Sequence, residues 1–260
     1  MIVVVTVTYY ADTSDVRYSL ALELCKLAAS KQLLTVIVDD SPDHQTIRSS
    51  FERAGESYVK VFQQDSATYH GKGGALRQAI QLAKDLVGED KASNSVICFA
   101  EPEKVDIMNH MQQIVEPILA KNADIVVPMR CDELFRKTYP IEQYHSECFA
   151  NLHFNALAQQ FEEFQTPDAK QIDWLFGPFA FSAPLANAWL KYEGTSWDAQ
   201  MVPYVRAVRQ QKKRIASVTI NFLHPHQMKE QEEGDTRWTK KRLHQLNILF
   251  DILGEKEFKI

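Results

Sequence analysis

Acidic side chains follow two apolar segments in the first half of the chain. Asp39 and Asp40 come directly after one valine- and isoleucine-rich run, and Glu101 and Glu103 follow a second. An apolar run that ends abruptly in carboxylates is typical of a buried strand whose C-terminal end reaches the edge of an open α/β sheet, where ligands bind. The carboxylates put negative charge at that edge. The pattern therefore indicates a nucleotide or metal–nucleotide site.

A glycine-rich segment, His70-Gly-Lys-Gly-Gly-Ala-Leu-Arg77, opens a helical pattern between these two runs. Gly71 and Gly73 would let the backbone pass close to a ligand, and the N-terminus of the following helix favours anions. Lys72 or Arg77 would then pair with a diphosphate. The spacing is not that of a Walker loop, so a simple glycine turn carrying two solvated cations is the alternative interpretation.

The elements that would position these residues alternate regularly in the first half of the chain. Predicted helices lie between strands at Ile2–Thr8, Leu34–Val38, Tyr58–Phe62, Val96–Ala100 and Ile125–Pro128. Continuous valine and isoleucine strands separated by amphipathic helices predict an α/β fold with a mostly parallel central sheet and helices on both faces. The regular alternation of strands and helices ends after Arg130. Residues 138–164 predict one long helix or two, followed by a short strand near 177–182, a helix at 200–212, a strand at 215–220 and a terminal helix at 237–253.

The bulk composition excludes some classes of function. The chain has 260 residues and a formal net charge of −5, which argues against nucleic-acid binding because that needs a concentrated basic footprint. The basic runs at 209–214 and 240–242 are predicted to be solvated helix faces. No apolar run approaches the ~20 residues of a membrane span, and the apolar start predicts a buried strand rather than a signal peptide. Four widely spaced cysteines suggest reduced thiols in a cytoplasmic protein.

The order of these motifs, continued by Ala123-Asp-Ile-Val-Val-Pro-Met-Arg130, resembles the family-2-like glycosyltransferases of the GT-A fold. The later segments Gly177-Pro178, Trp197-Asp198 and His224-Pro-His226 match more loosely and look somewhat like mannosylglycerate synthase-like enzymes. The resemblance implies one GT-A-like domain over residues 1–260. Residues 1–130 would bind the nucleotide sugar and 131–260 would form the acceptor side. It also implies transfer of a hexose from a UDP- or GDP-type sugar to a small-molecule or glycan acceptor.

The resemblance assigns substrate contacts to several residues. The first acid of the pair, Asp39, would hydrogen-bond the base or ribose, with Asp40 beside it. Thr8 and Tyr9 would line the same pocket, where a tyrosine ring can stack on the base. Gly177 belongs to the acceptor-side loop. A plain turn at Asp40 is the alternative for the second acid.

The resemblance also implies a divalent cation, Mn²⁺ or Mg²⁺, bridging the donor diphosphate. Glu101 and Glu103 stand where the family has Asp-x-Asp, and His224 or His226 would add a further ligand. Glutamates are one methylene longer than aspartates, which is a departure from the family. The alternative is ordinary helix-start chemistry, with Glu103 in the first turn of a helix.

Asp198 is the candidate general base if the enzyme inverts, and a helix N-cap otherwise. Three rival functions remain at this stage. A sugar-phosphate nucleotidyltransferase would need a Gly-x-Gly-Thr-Arg-type loop after the first strand, where this chain has Thr8-Tyr-Tyr-Ala-Asp12. A catalytically silent protein that only binds nucleotide sugars is a second rival, and a scaffold that docks a partner through its terminal helix is the third.

Overall fold

A seven-stranded sheet forms the centre of the protein in the computed structural model, which describes residues 1–254 apart from the side chains of 237–239. The strands are β1 (Ile2–Thr8), β2 (Leu34–Asp39), β3 (Val59–Gln63), β4 (Val96–Phe99), β5 (Ile125–Arg130), β6 (Phe179–Ser182) and β7 (Ile215–Ile220). The helices are α1 (Val16–Ser30), α2 (His44–Gly55), α3 (Gly71–Val87), α4 (Glu89–Ala92), α5 (Ile107–Leu119), α6 (Asp132–Thr138), α7 (Ile141–Ala158), α8 (Ala186–Leu190), α9 (Asp198–Gln211), α10 (His226–Glu232) and α11 (Thr236–Gly254).

The strand order β3-β2-β1-β4-β6-β5-β7 explains why the acidic strand ends meet. β1 lies between β2 and β4 and is parallel to both, with Thr8 opposite Asp39 and Val5 opposite Phe99. The carboxyl ends of these three strands therefore reach one edge of the sheet. β6 is antiparallel to β4 and β5, so its first residues lie at that same edge. The mostly parallel sheet predicted from the sequence is confirmed.

Helices cover both faces of the sheet. Val3, Val5 and Val7 of β1 belong to one apolar cluster, which includes residues of α3, α9 and α11. Val4 points the other way, into a second cluster with residues of α1, α2 and α5. Successive side chains of a strand point to opposite faces, so a β1 made of β-branched residues throughout is what a strand buried on both faces requires.

The predicted elements are largely recovered, with differences in the second half. The predicted helical segment 138–164 contains a single α-helix, α7, which begins after Pro140 and ends at Ala158, before a 3₁₀ turn at Glu162–Phe164. The helix that the glycine-rich segment opens, α3, begins at Gly71. α6, α8 and α10 were not predicted because each has seven residues or fewer, too few to establish a helical period.

None of the described helices is long and apolar enough to cross a membrane. All four cysteines are free thiols, and Cys25 and Cys98 are buried.

A buried charge cluster joins the end of β5 to the second half of the chain. Arg130 donates from Nε to Asp173 Oδ2 at 2.7 Å and from Nη2 to Glu147 Oε2 at 2.7 Å. Its guanidinium also lies 3.6 Å from the centre of the Phe135 ring. Burial disfavours the charged form of both groups, but the attraction between them is the stronger effect. Arg130 therefore lowers the pKa of Asp173, and the Asp173 carboxylate raises the pKa of Arg130. On α11, Arg242 pairs with Glu147 as well.

Arg130→Leu is expected to cost about 3–5 kcal/mol of unfolding free energy, because it leaves the buried Asp173 without its countercharge and Glu147 with Arg242 alone. Urea denaturation monitored by circular dichroism measures this loss. Arg214→Leu is the matched control: Arg214 pairs with Asp124 at 3.1 Å, but its side chain is 53% exposed, so less than about 1 kcal/mol should be lost. Equal losses in the two variants would contradict a stabilising role for the buried cluster.

Candidate functional site

An open cavity of about 340 Å³ lies at the carboxyl ends of β1, β2 and β4. We call it the edge cleft. Seven residues predicted from the sequence line it: Thr8, Tyr9, Asp40, Gly71, Lys72, Glu101 and Glu103. The topology thus brings together residues that are up to 95 positions apart, from Thr8 to Glu103. This is the edge of an open α/β sheet at which ligands bind.

A smaller, more enclosed pocket adjoins the edge cleft. We call it the inner pocket, and it shares Glu101, Glu103 and Lys241 with the cleft. Gly177 and His224, which were also predicted, line the inner pocket. The structure therefore collects nine predicted residues around two adjoining cavities.

Asp39 lies beneath the edge cleft rather than on its surface. Its side chain is fully buried, and its Oδ1 accepts hydrogen bonds from Thr8 Oγ1 at 2.7 Å and Ser41 Oγ at 2.6 Å. Nδ1 of His44 lies 3.0 Å from Oδ2. These contacts fix the ends of β1 and β2 to each other. Contact between Asp39 and a nucleoside stays a prediction, and the exposed acid of the pair is Asp40.

The two tyrosines after β1 have different surroundings. Tyr9 is 56% exposed and lines the edge cleft, so its ring is available to stack on a flat ligand. Tyr10 is 2% exposed and packs edge-on against the rings of Tyr18 and Phe51. Tyr10 therefore anchors this segment, while Tyr9 remains at the ligand-facing surface.

The glycine segment at the start of α3 packs against the backbone of residues 194–195. A Cβ at Gly71, whose φ is +62°, would lie 2.7 Å from the carbonyl oxygen of Thr195. A Cβ at Gly73 would lie 2.2 Å from that of Gly194, and the amide of Gly73 donates to Thr195 O at 3.0 Å. These glycines are therefore required by a close backbone approach within the protein itself.

Arg77 holds the same segment and does not line the edge cleft. Its Nη1 donates to the carbonyl oxygens of Tyr192 at 2.8 Å and Gly194 at 2.6 Å. Of the two cations predicted to pair with a diphosphate, Lys72 is the one whose side chain faces the cleft.

Asp198 is the first residue of α9, and its carboxylate is held by neighbours in the chain. Oδ1 accepts from the amide and the hydroxyl of Ser196 at 3.0 and 2.6 Å, and Oδ2 accepts from the Tyr192 hydroxyl at 2.7 Å. Burial alone would raise the pKa of Asp198, but these hydrogen bonds outweigh it and lower the pKa. A lowered pKa weakens a general base. The base role stays a prediction that this geometry does not favour.

Glu101 is surrounded by lysines. Its Oε1 accepts from Lys72 Nζ at 3.0 Å and its Oε2 from Lys104 Nζ at 2.6 Å. Burial would raise the pKa of Glu101, but Lys104, Lys72 and then Lys241 outweigh it and hold the pKa well below its usual value. Gly177, with a φ of +102°, makes room for this carboxylate, since a Cβ there would lie 2.8 Å from Oε2.

The two predicted histidine ligands lie in different environments. His224 is buried; its ring stacks on Tyr139 with centroids 4.0 Å apart, and its Nε2 lies 3.3 Å from Glu232 Oε2. His226 is on the surface, with a side chain 78% exposed and 3.4 Å from Glu230.

These residues do not fit a resident divalent cation. Within residues 1–254, side chains of histidine, cysteine, aspartate and glutamate nowhere form a group of three or more suited to a metal ion. Glu101 is already neutralised by Lys72 and Lys104. Two unit charges of like sign 4 Å apart near a protein surface repel by about 4 kcal/mol, and a dication beside one ammonium by about twice that. Lysine ammonium groups therefore lie where the sequence predicts a divalent metal ion.

Sequence reasoning missed several cations of the site. Lys104 directly follows Glu103 in the sequence, and this adjacency was the available signal. The basic run 240–242 was predicted to be a solvated face, which is wrong for Arg242, because its side chain is 12% exposed and pairs with Glu147. Lys241 lines both cavities. The packing of α11 against α7 brings Lys241 and Arg242 to the site. No local pattern in the sequence predicts that packing.

Comparisons with known proteins give the fold. The sequence matches no protein-family model and no curated protein. Among solved structures, a mycobacterial protein is similar with a TM-score of 0.65 and 15% identity, over 99% of this chain and 76% of that one. Mannosyl-3-phosphoglycerate synthase from Rubrobacter xylanophilus gives a TM-score of 0.56 and 13% identity, over 97% and 72%.

A protein described as a glucose-1-phosphate thymidylyltransferase from Bacillus anthracis gives a TM-score of 0.50 and 10% identity, over 85% of this chain and 88% of that one. Identities this low relate the structures by fold alone. The chain has the fold of GT-A nucleotide-diphospho-sugar transferases, as the sequence predicted, and its structure resembles both a mannosyl-3-phosphoglycerate synthase and a protein described as a thymidylyltransferase.

Gly73→Ala is expected to lower the unfolding free energy by about 1–3 kcal/mol, because the new methyl group would overlap the carbonyl of Gly194. Chemical denaturation measures the change. Gly254→Ala is the control, since a Cβ there would meet its nearest atom at an ordinary 3.7 Å. Unchanged stability of Gly73→Ala would show that the 194–195 segment is not packed tightly against α3.

His224 gives an expected pH dependence of stability. Burial lowers its pKa below 6.5 in the folded protein, so the unfolded chain takes up the proton first and stability falls as the pH drops below 6.5. His224→Phe should flatten the dependence of the unfolding free energy on pH between about pH 6.5 and 5, where one such group contributes at most about 1.4 kcal/mol per pH unit. Denaturation at a series of pH values measures the slope. A slope as steep as that of the wild type would contradict this expectation.

Proposed function

We propose that the protein transfers a hexose from a nucleoside-diphosphate sugar, such as a UDP- or GDP-sugar, to a small-molecule or glycan acceptor. The observation that carries the proposal is the convergence of Tyr9, Asp40 and Lys72 on the edge cleft. These three side chains supply a stacking ring, a hydrogen-bond acceptor and a cation, which are the groups that a base, a ribose and a diphosphate need.

The order of the side chains along the cleft suggests how a donor lies in it. Tyr9 and Asp40 follow β1 and β2 and would form the nucleoside end, together with Thr8 at the end of β1. Lys72 and Lys241 form the phosphate end, next to the inner pocket. The hexose and the acceptor would then lie at the phosphate end of the edge cleft, because the adjoining inner pocket, with Gly177 in its wall, has a volume of only about 40 Å³.

The chemistry of this proposal is stabilisation of a leaving group. Transfer of the sugar breaks its bond to the diphosphate and leaves negative charge on the departing nucleoside diphosphate. The lysine ammonium groups at the phosphate end would stabilise that charge as it develops. The proposal assigns no step to Asp198, whose carboxylate is held by Ser196 and Tyr192, and none to Mn²⁺ or Mg²⁺, because Glu101 is already paired with lysines.

The nucleotidyltransferase is the second candidate, because one similar structure belongs to a protein described as such an enzyme. The segment after β1 favours glycosyl transfer. It contains no glycine between Thr8 and Asp15. It is also anchored at both ends, by the buried Tyr10 and by Asp15, whose side chain accepts from Arg17 N at the start of α1. A loop that wraps a nucleoside triphosphate through its own backbone amides would need glycines there.

Incubation with UDP-, GDP-, ADP-, CDP- and dTDP-sugars, with release of the nucleoside diphosphate as the readout, tests the proposal. Parallel reactions contain a nucleoside triphosphate and a sugar 1-phosphate, with pyrophosphate as the readout. Release of a nucleoside diphosphate is expected. Formation of pyrophosphate alone would make the protein a nucleotidyltransferase, and binding of a nucleotide sugar without turnover would make it a silent binding protein. Failure to bind any of these compounds would favour the scaffold.

Tyr9→Ala should weaken binding of the preferred nucleotide roughly tenfold, because base–aromatic stacking contributes about 1–3 kcal/mol. Isothermal titration calorimetry measures the change. Phe149→Ala is the matched control: Phe149 is an aromatic residue 73% exposed on α7, and it lies outside the residues that line the edge cleft and the inner pocket. Equal affinity of Tyr9→Ala and the wild type would remove Tyr9 from the site.

A further inference from the structure

We infer that this chain binds the phosphates of its ligand through a lysine cluster formed by Lys72, Lys104 and Lys241 around Glu101, without a divalent cation. The inference rests on the proposed function and names how its phosphate end works. A cation-dependent site and a lysine site differ in one respect that can be measured: the role of Glu101. In the first it is a ligand, and in the second it competes with the bound anion.

The contacts of Glu101 support the second role. Each of its carboxylate oxygens accepts from a different ammonium group, Lys72 at 3.0 Å and Lys104 at 2.6 Å. A metal ion at Glu101 would have to displace both ammonium groups or lie beside them. An anion, in contrast, only has to replace Glu101 as the partner of ammonium groups that are already in place.

The two lysines that pair with Glu101 differ in how far their side chains are exposed. Lys104 is 13% exposed, and Glu101 raises its pKa against the opposing effect of burial, so it stays charged. Lys72 is 40% exposed and is the second residue of α3, where the helix N-terminus also favours an anion. Lys72 is therefore the side chain that can turn from Glu101 towards a phosphate in the edge cleft, while Lys104 remains as a fixed charge behind it.

Lys241 closes the cluster from α11. It lines both the edge cleft and the inner pocket, and its charge is one of the three that lower the pKa of Glu101. The next residue, Arg242, pairs with the buried Glu147. This pairing fixes the turn of α11 that carries Lys241.

The matching ligand carries two or more negative charges on adjacent phosphoryl groups. Inorganic pyrophosphate is the probe that contains only this part, and UDP, GDP and ADP contain it with a base. Titration calorimetry of the whole protein with each probe, in EDTA and again with Mn²⁺, tests the inference. Binding in EDTA is expected, with a change of less than about twofold on addition of Mn²⁺, and it should weaken as ionic strength rises.

Variants of Lys72 and Glu101 test whether the phosphates are bound by lysines or by a metal ion. Lys72→Met should weaken pyrophosphate binding about tenfold, the scale of a lost charge-assisted hydrogen bond. Lys84→Met on the same helix, which pairs with Asn187 on the surface, should bind as the wild type does. Glu101→Gln should bind at least as tightly as the wild type in EDTA, because the competing charge is gone. Loss of binding in a folded Glu101→Gln protein would overturn the inference. Thermal unfolding of each variant establishes that it is folded.

The outcomes separate this inference from the proposed function. Nucleoside diphosphate release that occurs only with Mn²⁺ would overturn the lysine cluster and leave the transferase standing. Pyrophosphate binding in EDTA that weakens in Lys72→Met, in a protein that turns over no nucleotide sugar, would support the lysine cluster and remove the transferase. Absence of pyrophosphate binding under both conditions would overturn the inference.

Discussion

The buried guanidinium of Arg130 is the interaction on which the second half of the site depends. It stands at the end of β5 and neutralises Asp173 and Glu147, which come from a connecting segment and from α7. None of the three is exposed to bulk water, so the guanidinium and the two carboxylates depend on the ion pairs between them. Glu147 in turn receives Arg242 of α11. The cluster therefore helps to determine where the terminal helix lies, and with it the position of Lys241, which lines both cavities.

A second group of charges, at Glu101, has more cations than carboxylates. There Lys72, Lys104 and Lys241 face Glu101, with Glu103 also acting on Lys104 and Lys241, and the group lies at a cavity wall instead of in the core. An excess of one sign is unfavourable in a closed core, but at a cavity it leaves capacity for a ligand of the other sign. The protein thus holds one balanced charge cluster in its core and one unbalanced cluster at a cavity. The sequence alone did not predict that most of the charged groups in these two clusters lie together.

The sequence predicted what depends on local pattern. The β-branched runs located the strands, and the acids at their ends located the edge cleft, because parallel strands bring their carboxyl ends together. The sequence could not separate Asp39 from Asp40, since one position along a strand decides between a buried carboxylate and an exposed one. It also could not place Lys241, which reaches the site through the packing of α11 on α7. Short helices such as α10 carry too few residues to show a period.

The close approach of Gly71 and Gly73 to residues 194–195 separates the shape of this loop from its chemistry. The two glycines are required because a neighbouring backbone lies close to them, whereas Lys72 between them forms an ion pair with Glu101 at the cleft. A chain with another residue in place of the lysine would still need both glycines to fold. A glycine-rich signature of this kind therefore reports the local backbone of the chain, and the residue between the glycines reports the charge that the chain presents to the cleft.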